Sequence, residues 1–107
     1  MSSFSVRCLF RWSGTPPGDP FTYEERITLW RADTIDESIS LAESEALSYA
    51  AESEVEYLRF CQAYAMVTEL DVTAVEVFSL LRDSHLASTE YINRFFAAGT
   101  ERESENA

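Results

Sequence analysis

The chain has 107 residues, 46% of them hydrophobic, with 19 acidic side chains against 8 basic ones and a formal charge of −11. This length is expected to give one compact domain over residues 1–99, because two cores of half the size would each be too small to stand alone; the apolar fraction excludes wholesale disorder. The charge argues against nucleic acid as a partner, since phosphate binding works through counterion release by a basic surface, whereas a basic protein partner is favoured.

All the bases are arginines, so the chain has no lysine for Schiff-base chemistry. The stretch from Met1 to Arg7 lacks the basic start and apolar run of a signal peptide, and nothing approaches the roughly 18 apolar residues of a membrane span. No membrane association and a cytoplasmic location are therefore expected. Cys8 and Cys61 each lie in an apolar run and read as reduced, buried thiols.

The first element is a strand from Phe4 to Trp12, with Phe4, Val6, Cys8, Phe10 and Trp12 on one side and Ser5, Arg7, Leu9 and Arg11 on the other. A loop from Ser13 to Pro20 follows, holding all the prolines. Tyr23 to Arg31 is a second strand, read with Ile27 and Leu29 on the core side and Arg26, Thr28 and Trp30 on the other, so that the pair forms a long hairpin. Thr34 with Glu37 fits a capping box opening a helix. Ile35, Ile39, Ala42, Ala46 and Tyr49 or Ala50 supply its buried face, and it is expected to end near Ala51 to Ser53.

Tyr57 to Thr68 and Val75 to Arg82 read as two more strands, joined across Glu69 to Val72, the first of them apolar on both sides. A second helix from Ser88 to Ala98 presents Tyr91, Ile92, Phe95 and Phe96 and stops at Gly99; Thr100 to Ala107 is expected to be an acidic, frayed tail. The order β-β-α-β-β-α gives an α+β fold: a four-stranded antiparallel sheet with the main helix packed on one face.

The run Tyr23-Glu24-Glu25-Arg26-Ile27-Thr28-Leu29-Trp30-Arg31-Ala32, followed by Asp36-Glu37-Ser38-Ile39, resembles small bacterial, mainly actinobacterial, proteins related to domain of unknown function 4288. So does Ala74-Val75-Glu76-Val77-Phe78-Ser79-Leu80-Leu81-Arg82-Asp83-Ser84 with Tyr91 and Arg94-Phe95-Phe96 behind it. The resemblance covers nearly the whole chain through apolar patterns. It implies a free-standing bacterial cytoplasmic domain and brings no catalytic residues with it.

No catalytic signature stands out. A thiol nucleophile would need Cys8 or Cys61 beside the only histidine, His85, and Asp83 or Ser84 near that histidine reads more simply as a cap for the second helix or its lead-in. One histidine and two dispersed cysteines give no zinc spacing, and Glu52-x-Glu54-x-Glu56, aligned if extended, lacks the organising turn of a calcium loop. Neither metal nor cofactor is expected. Gly14 and Gly18 lie in the hairpin loop, not between a strand and a helix N-terminus, so they offer no phosphate cradle.

Charge layout is more telling. Asp33 to Glu56 holds eight acids and no base, so the main helix should present an acidic surface, with Asp36, Glu37, Glu43, Glu45 and Glu52 as candidate contacts for a basic protein. The opposite sheet face should be rich in arginine and aromatic side chains: Arg7, Leu9, Arg11, Arg26, Trp30, Tyr64, Phe78 and Arg82. So many large groups are expected to be covered by the C-terminal helix, by a second copy in a homodimer, or by another partner. The resulting expectation is a small acidic protein-interaction domain, homodimeric through this sheet face and binding another protein through its acidic helix, such as an immunity-type protein or inhibitor of a basic partner. The alternative is a regulatory module in which the arginine and aromatic face holds a small ligand.

Overall fold

The computed structural model describes residues 2–66, 73–96 and 102–103. The elements are β1 (Ser2–Trp12), β2 (Phe21–Ala32), α1 (Ile35–Ser53), β3 (Val55–Ala65), β4 (Val75–Ser84), α2 (Ser88–Phe95) and a two-residue β5 (Arg102–Glu103). They form an antiparallel sheet in the order β4-β2-β1-β3-β5. The α+β class and the β-β-α-β-β-α order are as the sequence predicts, with β5 added to β3 from within the expected tail. The remainder of that tail, the Glu69–Val72 link and the predicted helix stop at Gly99 lie outside the described residues, as do the predicted extensions to Thr68 and Ala98.

β1 is the central strand because its alternation lets it bury both faces. Val6, Cys8 and Phe10 join Trp30, Tyr57, Cys61, Ala63 and the Ala42–Ala46–Ala50 ridge of α1 in the larger core. Alanines one helical turn apart let the helix backbone sit close to the sheet. The helix starts at Thr34, whose hydroxyl accepts the Glu37 N–H at 3.1 Å, while the Glu37 carboxylate accepts the Asp33 N–H at 3.1 Å. It stops at Glu54, whose left-handed backbone (φ 57°) turns the chain into β3.

On the other face, Leu9, Tyr23 and Phe60 meet Tyr91, Ile92 and Phe96 in a second core. Tyr23 and Tyr91 stack with centroids 3.9 Å apart, and the Tyr23 hydroxyl donates to the Leu86 carbonyl at 2.6 Å. Ser84 tightens the lead-in by accepting the Leu86 N–H at 3.1 Å, which is the capping role read for this loop, while Ala87 starts α2 with no side-chain cap.

The phase of β2 is the main correction. Glu24, Arg26, Thr28, Trp30 and Ala32 face α1, and Ile27 and Leu29 belong to the α2 face, the reverse of the expected assignment. Two things decide the register. Trp30, directly opposite Phe4, fills the larger core, and α1 supplies partners for the two charged residues that the same phase buries. Shifting a strand by one residue exchanges its faces completely.

Candidate interaction surface

Arg26 and Glu24 are the centre of a polar network beneath α1. The Arg26 guanidinium donates to both Glu45 oxygens (2.5 and 3.0 Å) and through Nε to Glu76 (2.6 Å), and it lies 4.0 Å from the Tyr49 ring centroid. Burial alone would lower its pKa; hydrogen bonds and charges from Glu45 and Glu76 more than reverse this and raise it. Glu24 accepts from the Tyr49 hydroxyl (2.9 and 2.8 Å) and the Ser79 hydroxyl (2.8 Å). Burial and the Glu24 carboxylate push the Tyr49 phenol up to about 12. Each member has partners inside the protein, so the cluster ties α1 to β2, with Glu76 and Ser79 of β4 joining from the side, and is not an open binding site.

A second network holds the other half of α1. Tyr57 donates to Glu43 at 2.5 Å, and burial, followed by the two neighbouring thiols and Glu43, raises its pKa. Cys8 and Cys61 face each other across β1 and β3, both buried; their shared hydrogen bond and then burial hold the Cys8 thiol well above its ordinary pKa. Nucleophilic cysteines need the thiolate, which this setting disfavours. His85 is exposed after β4, with β2 standing between β4 and β1, so the structure does not bring it to either thiol.

The eight residues predicted to share one face are therefore split. Arg26 and Trp30 are on the α1 side, buried. Leu9 is on the α2 side as expected, but it is fully buried beneath α2. Arg7, Arg11, Tyr64, Phe78 and Arg82 do lie on the α2 face, and their arginines are already engaged. Arg7 donates to Glu25 (3.0 Å), to Gln62 and to Tyr64 (3.1 Å), and sits 4.9 Å from the Phe96 centroid. Arg11 binds Glu56 at 3.1 Å and covers Phe21; Arg82 lies over Phe95 at 4.5 Å.

The predicted acidic surface is thinner than its sequence. Glu43 and Glu45 turn inward to Tyr57 and Arg26, leaving Asp36, Glu37 and Glu52 exposed on α1. Glu52, Glu54 and Glu56 do not form a row, because the first is helical, the second is the left-handed cap and the third is in β3 beside Arg11. Among the described residues no group of acidic, cysteine or histidine side chains is arranged to hold a metal ion, and no helix is long and apolar enough to cross a membrane.

Sequence reasoning found the strand β4 but missed that it exposes apolar side chains on both of its faces. Among the described residues β4 pairs only with β2, and it carries large apolar side chains into solvent: Val77 is 52% exposed, Phe78 45% and Leu81 53%, with Leu80 also exposed. Phe78 and Leu80, opposite Ile27 and Glu25, are on the α2 face; Leu81, opposite Glu24, is on the α1 face; Val77 falls at a bulge. α1 packs over β1, β2 and β3, which leaves the β4 edge beyond its cover. Phe95, 45% exposed, adds to the same patch through its contact with Arg82. At the loop end of β4 is a cleft of about 410 Å³ bordered by Trp12, Pro16, Asp19, Leu81 and Asp83. The missed signal was Val77-Phe78 and Leu80-Leu81, apolar pairs that cannot share one face of a regular strand.

No family model, no curated protein and no solved structure matches the chain.

Proposed function

We propose that this chain is a protein-interaction domain whose docking surface is the β4 edge together with Phe95. The observation that carries this reading is the concentration of exposed large apolar residues on one long edge strand: Val77, Phe78, Leu80 and Leu81. Folded chains avoid open, apolar strand edges, since these invite pairing, and a contiguous patch of this kind is characteristic of a surface that meets another protein. Asp36, Glu37 and Glu52 on α1, within a chain of charge −11, act at longer range by steering a basic partner. An inhibitor or immunity-type protein for such a partner is the concrete form of this role. The ligand-binding alternative loses support because Arg7 and Arg11 are paired with carboxylates and Arg26 is buried.

The test is a photo-reactive phenylalanine analogue placed at Phe78 and, as control, at Ser48 on the exposed side of α1, in cells making the protein. Adducts with a protein at Phe78 and few at Ser48 are expected. No adduct at Phe78, or equal yields at the two positions, would overturn the reading.

A further inference from the structure

We infer that β4 is an acceptor strand, and that its occupant is an extended, basic segment of a partner protein that adds to the sheet antiparallel or parallel to β4. The inference rests on the interaction reading above and specifies the partner's chemistry. Strand addition needs an unpaired backbone edge and side-chain contacts at alternate positions of the incoming segment. β4 has both. Among the described residues its outer side has no strand partner, and past the bulge at Val77 the run Phe78–Ser84 pairs regularly with β2. Phe78 and Leu80 would flank an added strand on the α2 face, and Leu81 on the α1 face, so its alternate side chains meet apolar groups on both sides.

Charge selects the occupant. The cleft at the loop end of β4 is bordered by Asp19 and Asp83 with the exposed ring of Trp12, and no basic side chain among the described residues lines it. Thr22 donates to one oxygen of Asp83 at 2.7 Å, and that carboxylate has acceptor capacity left. A lysine or arginine of an incoming strand would find two carboxylates and an aromatic face there. At the other end Glu76 is partly exposed. A second copy of this chain would instead bring another −11 against the first.

The probe is a synthetic eight-residue peptide alternating lysine with valine, compared with one alternating glutamate with valine, with binding read from backbone amide shifts and amide exchange of the full chain. The lysine peptide is expected to bind, to slow exchange at alternate amides of β4, and to lose about tenfold in affinity between about 50 and about 500 mM salt. Asp83→Asn should weaken it at least about threefold, and Leu81→Lys should abolish it. Both positions are exposed, and unchanged amide spectra elsewhere would show that the variants remain folded. Equal binding of the glutamate peptide, protection outside β4, or no binding of the lysine peptide would overturn the inference. A self-paired dimer with β4 amides protected would overturn it too. In each of these cases a protein adduct at Phe78 leaves the interaction reading standing, whereas absence of that adduct removes both.

Discussion

The two borders of β2 are handled in opposite ways. Toward α1, the charged side chains of β2 are buried and matched: Arg26 with Glu45 and Glu76, Glu24 with Tyr49 and Ser79. Toward solvent, the neighbouring β4 leaves Val77, Phe78, Leu80 and Leu81 uncovered. Arg26, which looks like part of a binding face from sequence alone, is thus part of the interior, and the apolar side chains of β4 form surface on both of its faces. Substitutions should separate the two regions: large losses of stability and no specific loss of association on the α1 side, the reverse on β4.

The largest effect is expected at Trp30. Trp30→Ala removes a buried ring from the core shared with α1 and should lower unfolding free energy by about 3–5 kcal/mol in urea titrations. Arg26→Ala comes next, at about 2–3 kcal/mol. Breaking a buried ion pair costs more than that, but Glu45 and Glu76 are partly exposed and can regain water. A near-neutral Arg26→Ala would show that the network does not tie α1 to β2.

Tyr49→Phe removes a hydroxyl donated to a buried carboxylate and should cost about 1.5 kcal/mol at neutral pH. Its pH dependence follows from the raised phenol. The folded value near 12 lies above the ordinary value of 10.0, so the folded state favours the neutral form. That contribution is fully present below the unfolded pKa, and it is lost as pH rises from about 10 through the folded pKa near 12. Wild-type protein should therefore lose stability over this window, and Tyr49→Phe should lose less. Parallel alkaline slopes would contradict the role given to the Tyr49–Glu24 contact.

Thr34→Ala deletes the N-cap of α1 and should cost about 1 kcal/mol. The smallest effect on stability is expected at Leu81→Lys, within about 0.5 kcal/mol, because the side chain is already in water. The same substitution should nonetheless abolish protein adducts formed at Phe78. A Leu81→Lys variant that unfolds would place this residue in a core and remove the contrast between the two borders.

Much of the fold is legible from local patterns. The alternation of β1 places Phe4, Val6, Cys8 and Phe10 on one face, and the Thr34 cap with the Ile39, Ala42, Ala46, Ala50 spacing orients α1; both are short-range signals that tertiary context reinforces. β2 is different, because both of its phases mix apolar and charged residues. Ile27 and Leu29 suggest one phase and Trp30 with Ala32 the other. The choice depends on partners more than ten residues away, Glu45 and Tyr49, which periodicity cannot reveal. The proposed docking surface was hidden for a related reason: the alternation of Phe78 and Leu80 marks one face of β4, whereas the exposure of Leu81 depends on how far α1 extends across the sheet. The arginines misled as candidates because charge alone does not show whether a carboxylate stands opposite.

The most direct test of the central contrast is residue-resolved amide hydrogen exchange on the isolated chain at low concentration. Alternate amides along β4, those directed away from β2, should exchange orders of magnitude faster than the amides of β1, which is paired on both sides and opens only with global unfolding. Uniform protection along β4, equal to that of β1, would contradict the account by showing that the edge is already covered within the chain.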